Sequence, residues 1–211
     1  MMLRRDFVMR FYLIRHGQST WNKENRVQGH SNPPLSEKGR GQIEKLIPRL
    51  KREKIEKIIA SPLIRAYESA QMLVKGLGIP CHTQKGLMEI HLGSWEGKTP
   101  DEVNRLYNNG YQKWLKGPSK MKIPKAETIV EFRQRAVKAF TEIVASETKE
   151  RVVLVTHGGI LAALISHWLN ADFDKILLNI FFENSSLTIA EVINGQVYLT
   201  DINDTCHLHD P

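Results

Sequence analysis

Residues 151–156 read Arg-Val-Val-Leu-Val-Thr, a β-branched run with no polar residue between its ends. A strand with one wet face alternates apolar and polar residues. One without that alternation is buried on both faces, as in a parallel sheet. Parallel strands in turn need crossover connections, usually helices. The rest of the chain supplies them. Residues 11–15 (FYLIR) read as a second buried strand, and Ile58-Ile59-Ala60 as a short third. Ser36-Glu37 opens a helix whose Ile43, Leu46, Ile47 and Leu50 recur at helical spacing, and Pro62 suits the first turn of the next helix, which runs toward Gly76 or Gly78. A long helix is expected over about 127–147, and another from His157-Gly158-Gly159 through Trp168. Two late runs, 186–192 and 196–201, flank Asn194-Gly195, a strong hairpin signal. The expected fold is therefore a three-layer α/β/α sandwich with a mainly parallel central sheet.

At 211 residues, 41% of them hydrophobic and 25% charged, the chain is long enough for one substantial core. Residues 1–8 read as an N-terminal extension and 9–211 as a single domain. Within it, 91–126 is irregular and rich in aromatic residues, glycine and proline, a cap over a site built elsewhere. Apolar stretches are too short to cross a bilayer, and the start lacks the apolar run of a signal peptide. Cys81 and Cys206 stand far apart with no metal-ligand spacing, which fits a reducing, cytoplasmic setting and neither a disulfide framework nor a metal site. The formal charge of +7 owes much to residues 38–57. That basic run reads as a solvated helix face, since no aromatic interleaving supports a nucleic-acid partner.

Ligands of parallel sheets bind beyond the carboxyl ends of the strands. Arg15 and His16 follow one strand, Arg65 lies shortly after another, and His157 follows a third. Any one of these residues alone reads as structural. Two guanidinium groups and two imidazoles at strand-to-helix junctions together form a concave cationic pocket suited to phosphate.

Leu13-Ile14-Arg15-His16-Gly17-Gln18-Ser19 resembles the signature of the histidine phosphatase superfamily, also called the phosphoglycerate mutase-like family. Further motifs follow in that family's order: Trp21-Asn22-Lys23-Glu24-Asn25-Arg26, Pro34-Leu35-Ser36-Glu37-Lys38-Gly39, Ser61-Pro62-Leu63-Ile64-Arg65-Ala66, Glu89 ahead of Gly93-Ser94-Trp95-Glu96-Gly97, and Val155-Thr156-His157-Gly158-Gly159. The resemblance covers nearly the whole chain. It implies that His16 is the nucleophile that becomes phosphohistidine, and that Arg15, Arg65 and His157 hold the phosphoryl oxygens. It implies too that Glu89 gives a proton to the leaving alcohol and later takes one from water. Ser19, Asn22, Gln28 and Gly29 would complete the binding loop, with Gly158 as a further N–H donor. No metal or other cofactor is expected, because permanently charged arginines can disperse the phosphoryl charge.

The family holds mutases and phosphatases. The stretch between Trp95 and Val130 is short, and Trp114 is followed by Leu115-Lys116-Gly117 where the mutases carry an arginine pair. Both features favour hydrolysis of a small phosphorylated metabolite, with phosphoserine, a phosphoglycerate-type acid and α-ribazole phosphate as candidates. A cofactor-dependent phosphoglycerate mutase is the alternative. A non-catalytic phosphate binder is a third reading, though it would have no use for Glu89. The residues at the C-terminus resemble the tails of metal-independent phosphoserine phosphatases, which makes His91 and His207 candidate specificity contacts. Tyr107, Tyr111 and Trp114 would line the substrate's organic end or form a packing stripe. Ala126-Glu127-Thr128 departs from the family's usual Gly-Glu-Ser, and the resemblance is compatible with a homodimer.

Overall fold

The computed structural model describes residues 8–209. Strands β1 (Val8–Arg15), β2 (Lys57–Ala60), β3 (Cys81–Thr83), β4 (Arg151–Thr156), β5 (Leu187–Ile193) and β6 (Gln196–Asp204) form one sheet in the order β3-β2-β4-β1-β5-β6. The three pairings among β3, β2, β4 and β1 are parallel, while β5 and β6 are added antiparallel. The sheet is thus mainly parallel, as the sequence predicts. β1 starts at Val8, so that residue belongs to the sheet rather than to an extension; residues 1–7 of the expected extension lie outside the described residues.

Each central strand feeds two cores. Phe11 and Leu13 of β1 and Val152 and Leu154 of β4 face one layer, while Tyr12, Ile14, Val153 and Val155 face the other. The first layer is made by α6 (Ile129–Ser146) and α7 (Gly158–Trp168), the second by α2 (Glu37–Arg52) and α3 (Ile64–Leu77). Helix α7 is buried continuously from Gly159 to Ser166, which matches its nearly unbroken apolar sequence.

Local chemistry sets the boundaries. Thr128 and Glu131 form a reciprocal capping box, so α6 starts at Ile129, two residues after the expected 127. Gly78 ends α3 in the left-handed region at φ 73°. Pro62 stands outside α3 instead of in its first turn, because the Leu63 N–H turns back to Ser61 Oγ at 3.3 Å and Leu63 becomes the N-cap. Asn194 and Gly195 both take positive φ, 52° and 81°, and close the β5–β6 hairpin.

Residues 91–126 hold two short helices, α4 (Pro100–Leu106) and α5 (Gly110–Trp114), and two single 3₁₀ turns at 93–95 and 118–120. Trp95 is their centre, buried against Tyr107 and Trp114 at ring distances of 6.3 and 6.1 Å. Tyr107 and Tyr111 do not share a helix face, since Asn108 and Asn109 break the chain with φ of 47° and 56°. Of the basic run, Lys38, Arg40, Lys45, Lys51, Arg52 and Lys54 are exposed, while Arg49 and Lys57 pair with Asp204 and Glu147.

Candidate active site

The parallel register builds the floor of the site. Arg15 stands opposite Thr156 and Ala60 opposite Val155, so His16, His157 and Ser61 leave the sheet side by side. The ladder continues one step further: the His16 N–H donates to Thr156 O and the Ser61 N–H to Val155 O, both at 2.9 Å. The two imidazole rings end 5.1 Å apart.

His16 is buried, and both its nitrogens have partners. Nδ1 lies 2.7 Å from Gly17 O, and a carbonyl only accepts, so Nδ1 carries the hydrogen. Arg65 Nε–H donates to Nε2 at 3.2 Å, and a guanidinium only donates, so Nε2 carries the lone pair. Both contacts select the same neutral tautomer. Burial, reinforced by the charges of Arg65 and Arg15, holds the His16 pKa well below that of a free imidazole. His157 is shifted the same way, first by burial and then by Arg65. Its Nε2 lies 2.8 Å from Ser61 Oγ, and its buried Nδ1 has no hydrogen-bond partner among the described residues.

Arg65, in the first turn of α3, is only 1% exposed. Its Nη1 and Nη2 donate to Ser31 O and Gly29 O, both at 2.9 Å. Burial lowers its pKa to about 10, which still leaves it charged at neutral pH. The loop that supplies these carbonyls is held by one carboxylate. Glu96 Oε1 accepts from His30 N and Leu92 N at 2.9 and 3.0 Å, and Oε2 accepts from Ser31 N and Ser31 Oγ at 2.9 and 2.7 Å. Gly29 passes this carboxylate at φ 52°, where a Cβ would sit 2.0 Å from Glu96 Oε1.

Arg15 is half-buried. Its Nη1 donates to Phe182 O, its Nε has no partner among the described residues, and its guanidinium lies 5.9 Å from the Phe181 ring. Burial lowers its pKa, while Glu89 and Glu183 oppose that shift. Glu89 is fixed at both oxygens: Oε1 accepts from Ile90 N at 2.9 Å, and Oε2 from Gly159 N at 3.1 Å. A side chain at position 159 would put its Cβ 2.2 Å from Glu89 Oε1, so the approach requires glycine. The backbone around Glu89 is clamped by Arg135, which donates to Gly86 O, Met88 O and Glu89 O at 3.0, 2.8 and 3.1 Å, and to Glu127 Oε1 at 2.6 Å. His30 Nε2 adds a contact to Glu89 O at 2.7 Å.

Arg15, His16, Arg65 and Glu89 line one cavity of about 390 Å³, together with Gln28, Gly29 and Gly159. His157 adjoins it through its tilted ring contact with His16. Ser19 and Asn22 stand behind the lining as a reciprocal cap of α1 (Thr20–Lys23), and Ser19 Oγ positions Gln28 by donating to its Oε1 at 2.8 Å. Gly158 starts α7 beside Arg15, but it is the next N–H, that of Gly159, that reaches Glu89.

Two candidates fall elsewhere. His91 turns toward Glu96, 3.6 Å away, and stacks on His30 at 4.9 Å. His207 is buried in a short helix, Cys206–His209, which folds back onto α2. Neither lines the cavity. Ala126 takes an ordinary φ, the left-handed position being Lys125 at φ 63°, so the extra methyl is tolerated.

Sequence reasoning gave no role to Ser61, Asn184, His30 or Arg135. Ser61 was accessible from its place directly after β2. Asn184, whose Nδ2 donates to His16 O at 3.2 Å, comes from a loop without periodic pattern. Among the described residues no three His, Cys, Asp or Glu side chains group as a metal site would require, and no helix is long and apolar enough to cross a membrane.

Phosphoserine phosphatase 1 of Hydrogenobacter thermophilus is 27% identical over 201 residues, covering 95% of both chains. Phosphoglycerate mutase-like protein 4 of Arabidopsis thaliana is 29% identical over 204 residues, covering 94% of this chain and 86% of the relative. Among solved structures, Bacillus stearothermophilus YhfR superposes with a TM-score of 0.90 at 34% identity, over 95% of this chain and 99% of that one. The family model for the histidine phosphatase superfamily, branch 1, matches residues 11–205. With that match added to a floor of two arginines and two histidines at parallel strand ends, the chain belongs to the histidine phosphatase superfamily.

Proposed function

We propose that this chain hydrolyses phosphate monoesters of small metabolites through a phosphohistidine on His16. One observation carries the reading: the His16 Nε2 lone pair points at the Arg65 guanidinium inside a buried cationic floor, while Nδ1–H is tied to Gly17 O. A neutral imidazole held so is ready to attack an electrophile whose oxygens the arginines have drawn in.

Nε2 attacks phosphorus in line with the ester oxygen, and the P–O bond to the alcohol breaks as the P–N bond forms. Arg15, Arg65 and His157 take the charge that spreads over the equatorial oxygens. Glu89, held by Gly159 N–H and Ile90 N–H, delivers its proton to the departing alkoxide. It then takes a proton from water, which attacks phosphorus and returns His16 to its neutral form. No step requires a metal, because two guanidinium groups perform the charge dispersal.

Hydrolysis is favoured over a mutase reaction by the upper wall of the cavity. Residues 91–126 contribute Leu92, Trp95, Tyr111, Trp114 and Leu115 to it, and no lysine or arginine. A mutase needs cations there to hold the other end of a bisphosphorylated intermediate. We place the enzyme in the cytoplasm, in keeping with a chain that has only two cysteines, far apart in sequence and without disulfide-framework spacing.

The test is phosphate release from a panel of phosphomonoesters in excess chelator, alongside conversion of 3- to 2-phosphoglycerate. Release with no isomer conversion is expected. Conversion that depends on a bisphosphate primer, or activity lost on chelation, would overturn this reading.

A further inference from the structure

The cavity is larger than a phosphate needs, and what surrounds the surplus identifies what the phosphate is attached to. The arginines of its lining, Arg15 and Arg65, lie at the floor with His16 and Glu89. Above the floor the wall is made by Tyr111, Trp114, Leu115, Phe173, Leu178 and Phe181. Three of these form an apolar rim: Leu115 is 53% exposed, Leu178 36% and Phe181 73%. Lys116, Lys120, Lys122 and Lys125 are on the same segment, but none of them lines the cavity.

We infer that the physiological substrate carries an apolar alcohol, alkyl or aromatic, and that esters with a carboxylate near the phosphate are poor substrates. The inference rests on the phosphatase reading and refines it. A carboxylate entering this wall loses its hydration and meets no cation to replace it, because both arginines are committed to the phosphoryl oxygens. The Tyr111 hydroxyl and the Trp114 indole N–H are neutral and cannot neutralise it. An alkyl chain or ring entering the same space buries its own surface and that of the exposed rim. On this geometry phosphoserine and phosphoglycerate-type acids do not fit, and α-ribazole phosphate fits only through its aromatic base, its ribose being polar.

The test compares hexyl phosphate with 2-(phosphonooxymethyl)hexanoate, the same primary chain with a carboxylate on the carbon next to the ester carbon. The expected kcat/KM ratio favours hexyl phosphate on the order of 10- to 100-fold. Leu178→Arg, on the half-exposed rim, should shrink that ratio by raising turnover of the carboxylate. Equal or reversed rates in the native protein would overturn the inference and leave the phosphatase reading standing. No phosphate from either ester, and no label on His16, would overturn both. Phosphoserine turned over as fast as hexyl phosphate would also count against it.

Discussion

The floor and the wall of the cavity are built in opposite ways. The floor hangs from the ends of three parallel strands, and its His16 and Arg65 are buried and tied to backbone carbonyls. The wall comes from short helices and turns, is apolar, and reaches into solvent at Leu115 and Phe181. Phosphoryl transfer depends on tenths of an ångström and on fixed charge, so it is placed where the fold is stiffest. Choosing an alcohol needs only apolar cover of adequate shape, and irregular segments supply that.

The contrast breaks first at His16. His16→Ala should abolish the phosphoenzyme and lower turnover by about 10⁴-fold or more, as followed by transfer of ³²P from a labelled ester. Turnover close to that of the native protein would mean the floor is not the reacting centre. Arg65→Ala should lower kcat by about 10²–10³-fold, the usual cost of one oxyanion donor. It also leaves the Gly29 and Ser31 carbonyls without their donor.

Arg135→Met sharpens the comparison, because Arg135 does not line the cavity and reaches the acid through the backbone around Glu89. We expect kcat to fall roughly 10- to 100-fold with KM little changed, and Arg135→Lys to recover only part of it. A change in KM alone would show that the clamp shapes binding rather than the acid. Stability supplies a separate test. His16 and His157 are held neutral by burial, with pKa values well below 6.5, whereas in the unfolded chain they titrate near that value. Stability is therefore complete above pH 6.5 and declines as pH drops from there toward the folded-state values. The slope is about 1.4 kcal/mol per pH unit for each histidine. Urea unfolding at pH 7 and pH 5 should register the loss, and identical midpoints would contradict it. The smallest effect belongs to the wall: Trp114→Ala should raise KM for a naphthyl ester by about tenfold and for methyl phosphate far less.

The same contrast decided what the sequence could disclose. Val152–Val155 could only lie in a doubly covered strand, and once that strand was placed, His157 had to emerge at its carboxyl end, with His16 and Arg65 near the ends of its neighbours. Roles in the floor follow from adjacency along the chain. The wall has no such rule. Tyr111 and Trp114 satisfy a packing pattern and a binding pattern at once, and the break at Asn108–Asn109 depends on backbone angles that composition does not announce. His207 was misplaced for a related reason: a tail can reach the cavity or fold back on α2, and only tertiary packing chooses. Arg135 clamps Glu89 across a wide gap in sequence, which no local pattern encodes.

The hydrogen bond from Arg65 to His16 Nε2 has a consequence for timing. That donor covers the Nε2 lone pair of His16. An incoming phosphoryl oxygen competes for the same N–H, and in capturing it unveils the nitrogen at its most accessible moment. On the proposed mechanism the arriving ester thereby arms its own attacker, and a molecule that brings no anion to Arg65 would find the lone pair covered.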